Sequence, residues 1–250
     1  MESSNGLQQK PVPESFDEVL KKICITTAGK LPEDSWYIIA ATLLAVDSGA
    51  HFGALFEYVI SQSTDKDTPD ARRRVSRQLR EVIIKEWTLV GMPRVFAAYY
   101  SLNSKENPSD RAADFERAEQ RATLHPDQVS DRAQSWLKQE LAEDEAAVWN
   151  SLSANPDLAW ATKYIQYGYF LADTSVLNPL ENEMVILAAV MGQGAAIATY
   201  AHMKSFRRIG ATASQAKAFQ YVVETIAKWQ GKDTSSWHNV SEVEQLFPDT

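Results

Sequence analysis

Apolar residues recur along most of this chain at intervals of three and four, the spacing of one face of a helix. Phe16, Val19, Leu20, Ile23 and Cys24 predict a short amphipathic helix over residues 15–25. Pro32-Glu-Asp opens a second helix, with proline and acids in the first turn where the helix dipole favours them. From Trp36 to Val46 that helix is apolar almost all round, which predicts burial on every side. Thr68-Pro69-Asp70 starts a long helix bearing Val75, Leu79, Val82, Ile83, Trp87 and Val90. Gly91-Met-Pro93 breaks it, and a further helix covers residues 94–102. Asp157–Asp173 reads as an aromatic-rich helix, Met184–Met191 as a second long apolar stretch, and Val243, Leu246 and Phe247 as a last short helix. No strand pattern interrupts this series, and the single Asn-Gly hairpin signal, Asn5-Gly6, falls in a polar tail.

Two stretches follow the same plan: acids beside a proline, an apolar run ending in glycine (Gly49, Gly194), a helix, a turn, and an amphipathic helix stopped by another glycine (Gly91, Gly231). Aligning the first glycines sets Glu57 opposite His202. Aligning the second pair shifts the register by five residues, an insertion most simply placed in the polar loop Ser63–Asp70. The chain therefore divides into a tail (1–13), a first helical repeat (14–105), a charged helical connector (106–150) and a second repeat with a C-terminal helix (151–250). The connector has sparse apolar positions and predicts one or two exposed helices broken at His125-Pro126. It reads as a linker between repeats or as a regulatory or partner-docking insert.

Composition narrows the classes. With 250 residues, 44% apolar and 23% charged, the chain can bury a core. A net charge of −8 argues against a nucleic-acid partner. Arg72–Arg74 and Lys204–Arg208 read as solvated or subunit-contact faces. One cysteine, Cys24, excludes an internal disulfide and a cysteine-rich zinc site and suits a reducing compartment. The N-terminus lacks a signal-peptide core, the C-terminal FPDT matches no retention or peroxisomal address, and the apolar runs are too short to span a bilayer. A cytoplasmic protein without membrane contact is expected.

The segments AHMKSFRRIGATASQAKAFQYVVETIAKWQG and LREVIIKEWTLVGMPRVFAAYY resemble the carboxymuconolactone decarboxylase / alkylhydroperoxidase D-like family, over about residues 33–102 and 155–231. The resemblance implies an all-α fold of two tandem repeats packed as one pseudo-symmetric domain, and homo-oligomers (a homodimer or higher) with sites near subunit contacts. It also marks departures. The peroxidase branch places C-x-x-C before its histidine; those positions are Ala195 and Ala198 here, and Ala50 and Gly53 in the first repeat. Thiol peroxidase chemistry needs both sulfurs and is excluded. The decarboxylase branch has an acid four residues before the histidine, where this chain has Ala198.

His202 is the leading candidate: it acts as a general acid or base, or donates one bond within a core. Glu57 lies among apolar neighbours and either assists proton transfer or pairs with an arginine. Arg94 heads a helix and holds a substrate carboxylate or a structural ion pair, with Glu86 or Glu81 as partner. Trp87, Tyr164 and Tyr167 line an aromatic ligand site or fill the core. The four histidines have no close spacing, so neither a metal nor a cofactor is expected. Two functions remain open. One is a cofactor-independent lyase or isomerase acting by decarboxylation or proton transfer on a small cyclic or aromatic organic acid or lactone. The other is a non-catalytic ligand-binding or oligomeric scaffold of the same fold.

Overall fold

The computed structural model describes residues 14–66, 68–113 and 116–247, and every regular element among them is helical. The tail 1–13 and the last three residues lie outside the described residues. The helices are α1 (Phe16–Thr27), α2 (Trp36–Ala45), α3 (Phe52–Gln62), α4 (Pro69–Val90), α5 (Met92–Lys105), α6 (Glu116–Ala122), α7 (Pro126–Leu141), α8 (Glu145–Leu152), α9 (Pro156–Trp160), α10 (Pro179–Gly192), α11 (Ala196–Arg208), α12 (Ala213–Trp229) and α13 (Ser241–Glu244). A π-helical segment, Ala161–Leu171, follows α9 directly. No helix among the described residues is long and apolar enough to cross a membrane.

Local chemistry sets the boundaries. Reciprocal capping boxes, Ser15 with Glu18, Asn178 with Glu181 and Thr212 with Gln215, start α1, α10 and α12 and satisfy orphan N–H donors. Gly91, at φ +87°, lets α4 end and α5 begin with a sharp change of direction. The second helix begins at Trp36 and not at Pro32, because residues 32–35 close a turn through Ser35 N–H to the Pro32 carbonyl at 3.1 Å.

The two long apolar runs meet each other. All ten residues of α2 are buried, as are Asn182–Gly192 of α10, and α2 and α10 pack together at the centre. A Cβ on Gly192 would come 2.6 Å from Ala45 Cβ, so the helices approach closely there because Gly192 has no side chain. α4 and α12 each pack against both central helices. α5 covers α3, while α7 covers α11.

The connector does more than span. α7 buries Val129, Ala133, Trp136, Leu137, Glu140 and Leu141 on one stripe, against the π-helical segment and α11. Ala133, Trp136, Leu137 and Leu141 join Tyr167, Leu171 and Ile186 in a second apolar cluster. The expectation of exposed helices in the connector fails for α7, because its few apolar residues all share one face. Lys204 and Arg208 of α11 bond Asp144, and Arg208 also bonds Glu143, so these two cations are neutralised by the connector's own acids, while Arg207 pairs with Glu244 at 3.3 Å.

The aromatic stretch expected as one helix is α9 followed by π winding, closed by Ala172 N–H on the Tyr167 carbonyl at 2.9 Å. A Cβ on Gly168 would lie 2.4 Å from Val129 Cγ1 and 2.8 Å from the Val129 carbonyl oxygen. Gly168→Ala is therefore expected to push α7 away and cost about 1–3 kcal/mol, the usual range for overpacking. Urea unfolding of the variant checks this; unchanged stability would contradict the tight approach.

Candidate functional site

Four elements converge on one buried group of polar side chains. His202 comes from the second turn of α11, Glu183 from the start of the buried stretch of α10, Glu140 from the last turn of α7, and Tyr167 from the π-helical segment. His202 Nδ1 lies 2.8 Å from Glu183 Oε1 and 3.4 Å from Glu140 Oε1. The Tyr167 hydroxyl donates to Glu140 Oε1 at 3.1 Å. Glu183 is fully buried, Glu140 is 1% exposed and His202 is 8% exposed. The frame is fixed from outside the cluster: Ser205 Oγ and Arg208 Nη1 donate to the Glu140 carbonyl at 2.9 and 3.2 Å, which ties the end of α7 to α11.

Burial decides the charge states. It pushes the Glu183 carboxyl well above the usual carboxylate range. It raises Glu140 to about 7, with the neighbouring His202 and the Tyr167 bond pulling down and Glu183 adding to the rise. It lowers the His202 imidazole below its ordinary value, opposed by Glu140. These directions favour an uncharged pair at neutral pH: a protonated Glu183 donating to an unprotonated His202 Nδ1. Glu140 Oε2 and Glu183 Oε2 have no hydrogen-bond partner. A carboxyl with one free oxygen retains capacity to accept or release a proton.

Glu140, Glu183 and His202 also present one ligand atom each, all within 4.8 Å of one another, so this trio can hold a metal ion. Histidine spacing in the sequence predicts no metal set. The fold brings three candidate donors, His202 and two glutamates, together from three helices.

Linkage gives the cluster a signature in stability. Between pH 4.5, the ordinary glutamate value, and about 7, the folded protein keeps the Glu140 proton while the unfolded chain releases it. The Glu140 contribution to stability is therefore expected to fall as pH rises through that window; Glu183 acts in the same direction, and the lowered His202 pKa opposes them. Glu140→Gln removes the Glu140 share. Urea unfolding at pH 5 and pH 7.5 should show a smaller pH dependence in the variant; an equal dependence would contradict a buried, protonated Glu140.

Of the residues singled out from the sequence, the fold brings His202 and Tyr167 together through Glu140. The others lie elsewhere. Glu57 is on the outer face of α3, where it pairs with Lys105 at 3.0 Å. Arg94 donates to the Ala45 carbonyl at 2.9 Å and sits 3.7 Å from Asp47, so it caps the end of α2. Glu86 is fully buried with both oxygens unpartnered, and burial raises its pKa well above the usual range against the pull of Arg94. Glu81, the other partner considered for Arg94, is held by Arg121 and Lys85. Trp87 packs edge-on against Phe170 at 5.3 Å, and Tyr164 stacks with Trp160 at 5.9 Å.

Sequence reasoning missed Glu183 and Glu140. Glu183 had a signal: the acid directly before a long apolar run has no solvent face to turn to. Glu140 had a weaker one, four residues after Trp136 and so on the stripe that α7 buries. A separate cleft of about 680 Å³ opens between α1, α2, α3 and the start of α4, and His202 does not line it. Comparison with family models, with curated proteins and with solved structures returns no match for this chain.

Proposed function

We propose that this chain is a cofactor-independent lyase or isomerase that moves a proton on a small cyclic or aromatic organic acid or lactone. The observation that carries the reading is the buried His202–Glu183 hydrogen bond beside Glu140 and Tyr167. In the proposed relay, neutral His202 gives its Nε2 proton to a substrate carbon while Nδ1 takes the Glu183 proton. In a decarboxylation, the carbon–carboxylate bond breaks, its electron pair passes into the substrate's conjugated acceptor, carbon dioxide leaves, and that proton completes the product. Isomerisation uses the same groups to remove a proton and return it at another carbon. Missing cysteines do not affect either route.

The two tandem repeats of the carboxymuconolactone decarboxylase-like plan belong to this proposal. It is supported by the reciprocal packing, in which α2 and α10 meet and α4 and α12 each touch both. A cytoplasmic homodimer or larger homo-oligomer completes it, with exposed Phe96, Tyr100 and Ile197 among the apolar side chains available for subunit contacts. A second reading, a non-catalytic binding or scaffold protein, is favoured by one observation: the 680 Å³ cleft lies away from the 8% exposed His202.

The test is turnover against a panel of aromatic acids and lactones in deuterated water, scored for carbon dioxide release and deuterium incorporation. The enzyme reading expects at least one substrate to react with wild type and to fail with His202→Gln. Turnover unchanged in that variant removes the acid–base role, and a panel with no turnover leaves the scaffold reading standing.

A further inference from the structure

The cleft between α1, α2, α3 and the start of α4 has the makings of a separate ligand site. Its floor is built from Ile39, Leu55, Val75 and Val222, each of which is at most 4% exposed and belongs to the main core. About 680 Å³ of open space above such a floor is within the range of small-molecule sites, roughly 300–1,000 Å³. Trp36 lies along one wall, and the mouth carries Tyr58 and Cys24, whose hydroxyl and thiol are 3.9 Å apart.

The rim determines what kind of molecule fits. Four charged residues line it: Glu33, Asp34, Asp65 and Arg74. Arg74 is matched by Asp65 at 3.6 Å. That leaves Glu33 and Asp34, among the described residues, as acids without a cation at the opening. A carboxylate brought to this rim meets like charge, whereas an ammonium group meets complementary charge, and a neutral polar group pays neither penalty.

We infer that this cleft binds a hydrophobic small molecule whose polar end is an amine or uncharged, and that it discriminates against organic acids of the same body. The site is independent of the His202 cluster, and its selectivity is opposite to that expected of a site for acid substrates.

Cys24 makes the inference testable, because it is the only cysteine in the chain, is exposed, and stands at the mouth. The experiment measures the rate of Cys24 modification by an aromatic disulfide reagent on the full-length protein. Three probes are added below their micelle concentrations: n-decylamine, 1-decanol and decanoate. Decylamine and decanol are expected to slow modification at least fivefold at saturation, with decanoate needing at least tenfold more probe for the same protection. The double variant Glu33→Gln, Asp34→Asn changes only the rim; it should weaken decylamine several-fold, leave decanol unchanged and strengthen decanoate. Circular dichroism in each mixture shows that the fold persists. Three results overturn the inference: no protection by any probe, decanoate protecting as well as decylamine, or slow modification without probe that accelerates on dilution. The last would mean that a second copy of the chain covers the cleft.

Discussion

Lys85→Met is expected to unfold this protein more readily than any surface substitution. Lys85 is fully buried on α4, and its ammonium donates to the carbonyls of Phe170, Leu171 and Asp173 at 2.9, 3.4 and 2.6 Å. Those carbonyls lie at and just past the end of the π-helical segment, where the backbone supplies few donors; the Phe170 carbonyl also accepts from Asp173 N–H at 3.2 Å. Asn182 Nδ2 adds a bond to the Leu171 carbonyl at 2.6 Å. Around the ammonium, Glu81 lies at 3.5 Å, and Arg121 bridges Glu81 and Asp173 at 3.1 and 3.2 Å. Burial lowers the Lys85 pKa to about 8 against the pull of Glu81 and Asp173, so the side chain is still mostly charged at pH 7. Methionine fills similar volume but removes all three ammonium bonds and takes one cation out of a buried network. Breaking such a network costs about 3–5 kcal/mol, or on the order of 10 °C in Tm for a chain of this size. Thermal and urea unfolding measure it. Lys105→Ala, which breaks the half-exposed pair with Glu57, is the contrast and should change stability little. Equal effects from the two variants would contradict the assignment of Lys85 as the clamp between α4 and the π-helical segment.

His202→Gln is expected to have the largest effect on activity. Glutamine keeps a polar group within reach of Glu183 and approximates the imidazole's size, so the fold should persist. It cannot take a proton on one nitrogen while releasing one from another. Loss of a general acid or base costs about 10²–10⁴-fold in rate. Glu183→Gln leaves the imidazole in place but removes the proton that Nδ1 would receive, so it should lower kcat with a smaller effect on KM. Tyr167→Phe removes only the bond to Glu140 and should act mildly. An order in which Tyr167→Phe is the most damaging would contradict the relay through Glu183.

The helical class was legible because apolar positions at 3–4 spacing run through α1, α4 and α12, and because the two long apolar runs, on α2 and α10, had to be buried. His202 could be picked out through the resemblance carried by the segment AHMKSFRRIGATASQAKAF. Its partners were harder. Residue spacing relates positions on one helix, whereas Glu183, Glu140 and Tyr167 reach His202 from three other elements. The connector illustrates the limit. Its charge suggested exposure, yet α7 concentrates Val129, Ala133, Trp136 and Leu137 on one stripe and carries Glu140 inward with them. Glu57 misled for the opposite reason. Its neighbours in ALFEYVI are apolar, but Leu55 and Phe56 face inward while Glu57 turns to Lys105. The π winding of residues 161–171 had no sequence signal beyond Gly168, whose role is visible only once α7 lies against it.

The central claim is that His202 transfers protons, and exchange of a substrate carbon-bound hydrogen with deuterated solvent tests it most directly. For any panel compound that wild type turns over, nuclear magnetic resonance should show deuterium entering the product at one carbon. Under the same conditions His202→Gln, with an unchanged unfolding transition, should incorporate it at least a hundredfold more slowly. Deuterium incorporation at the wild-type rate in His202→Gln would contradict the account.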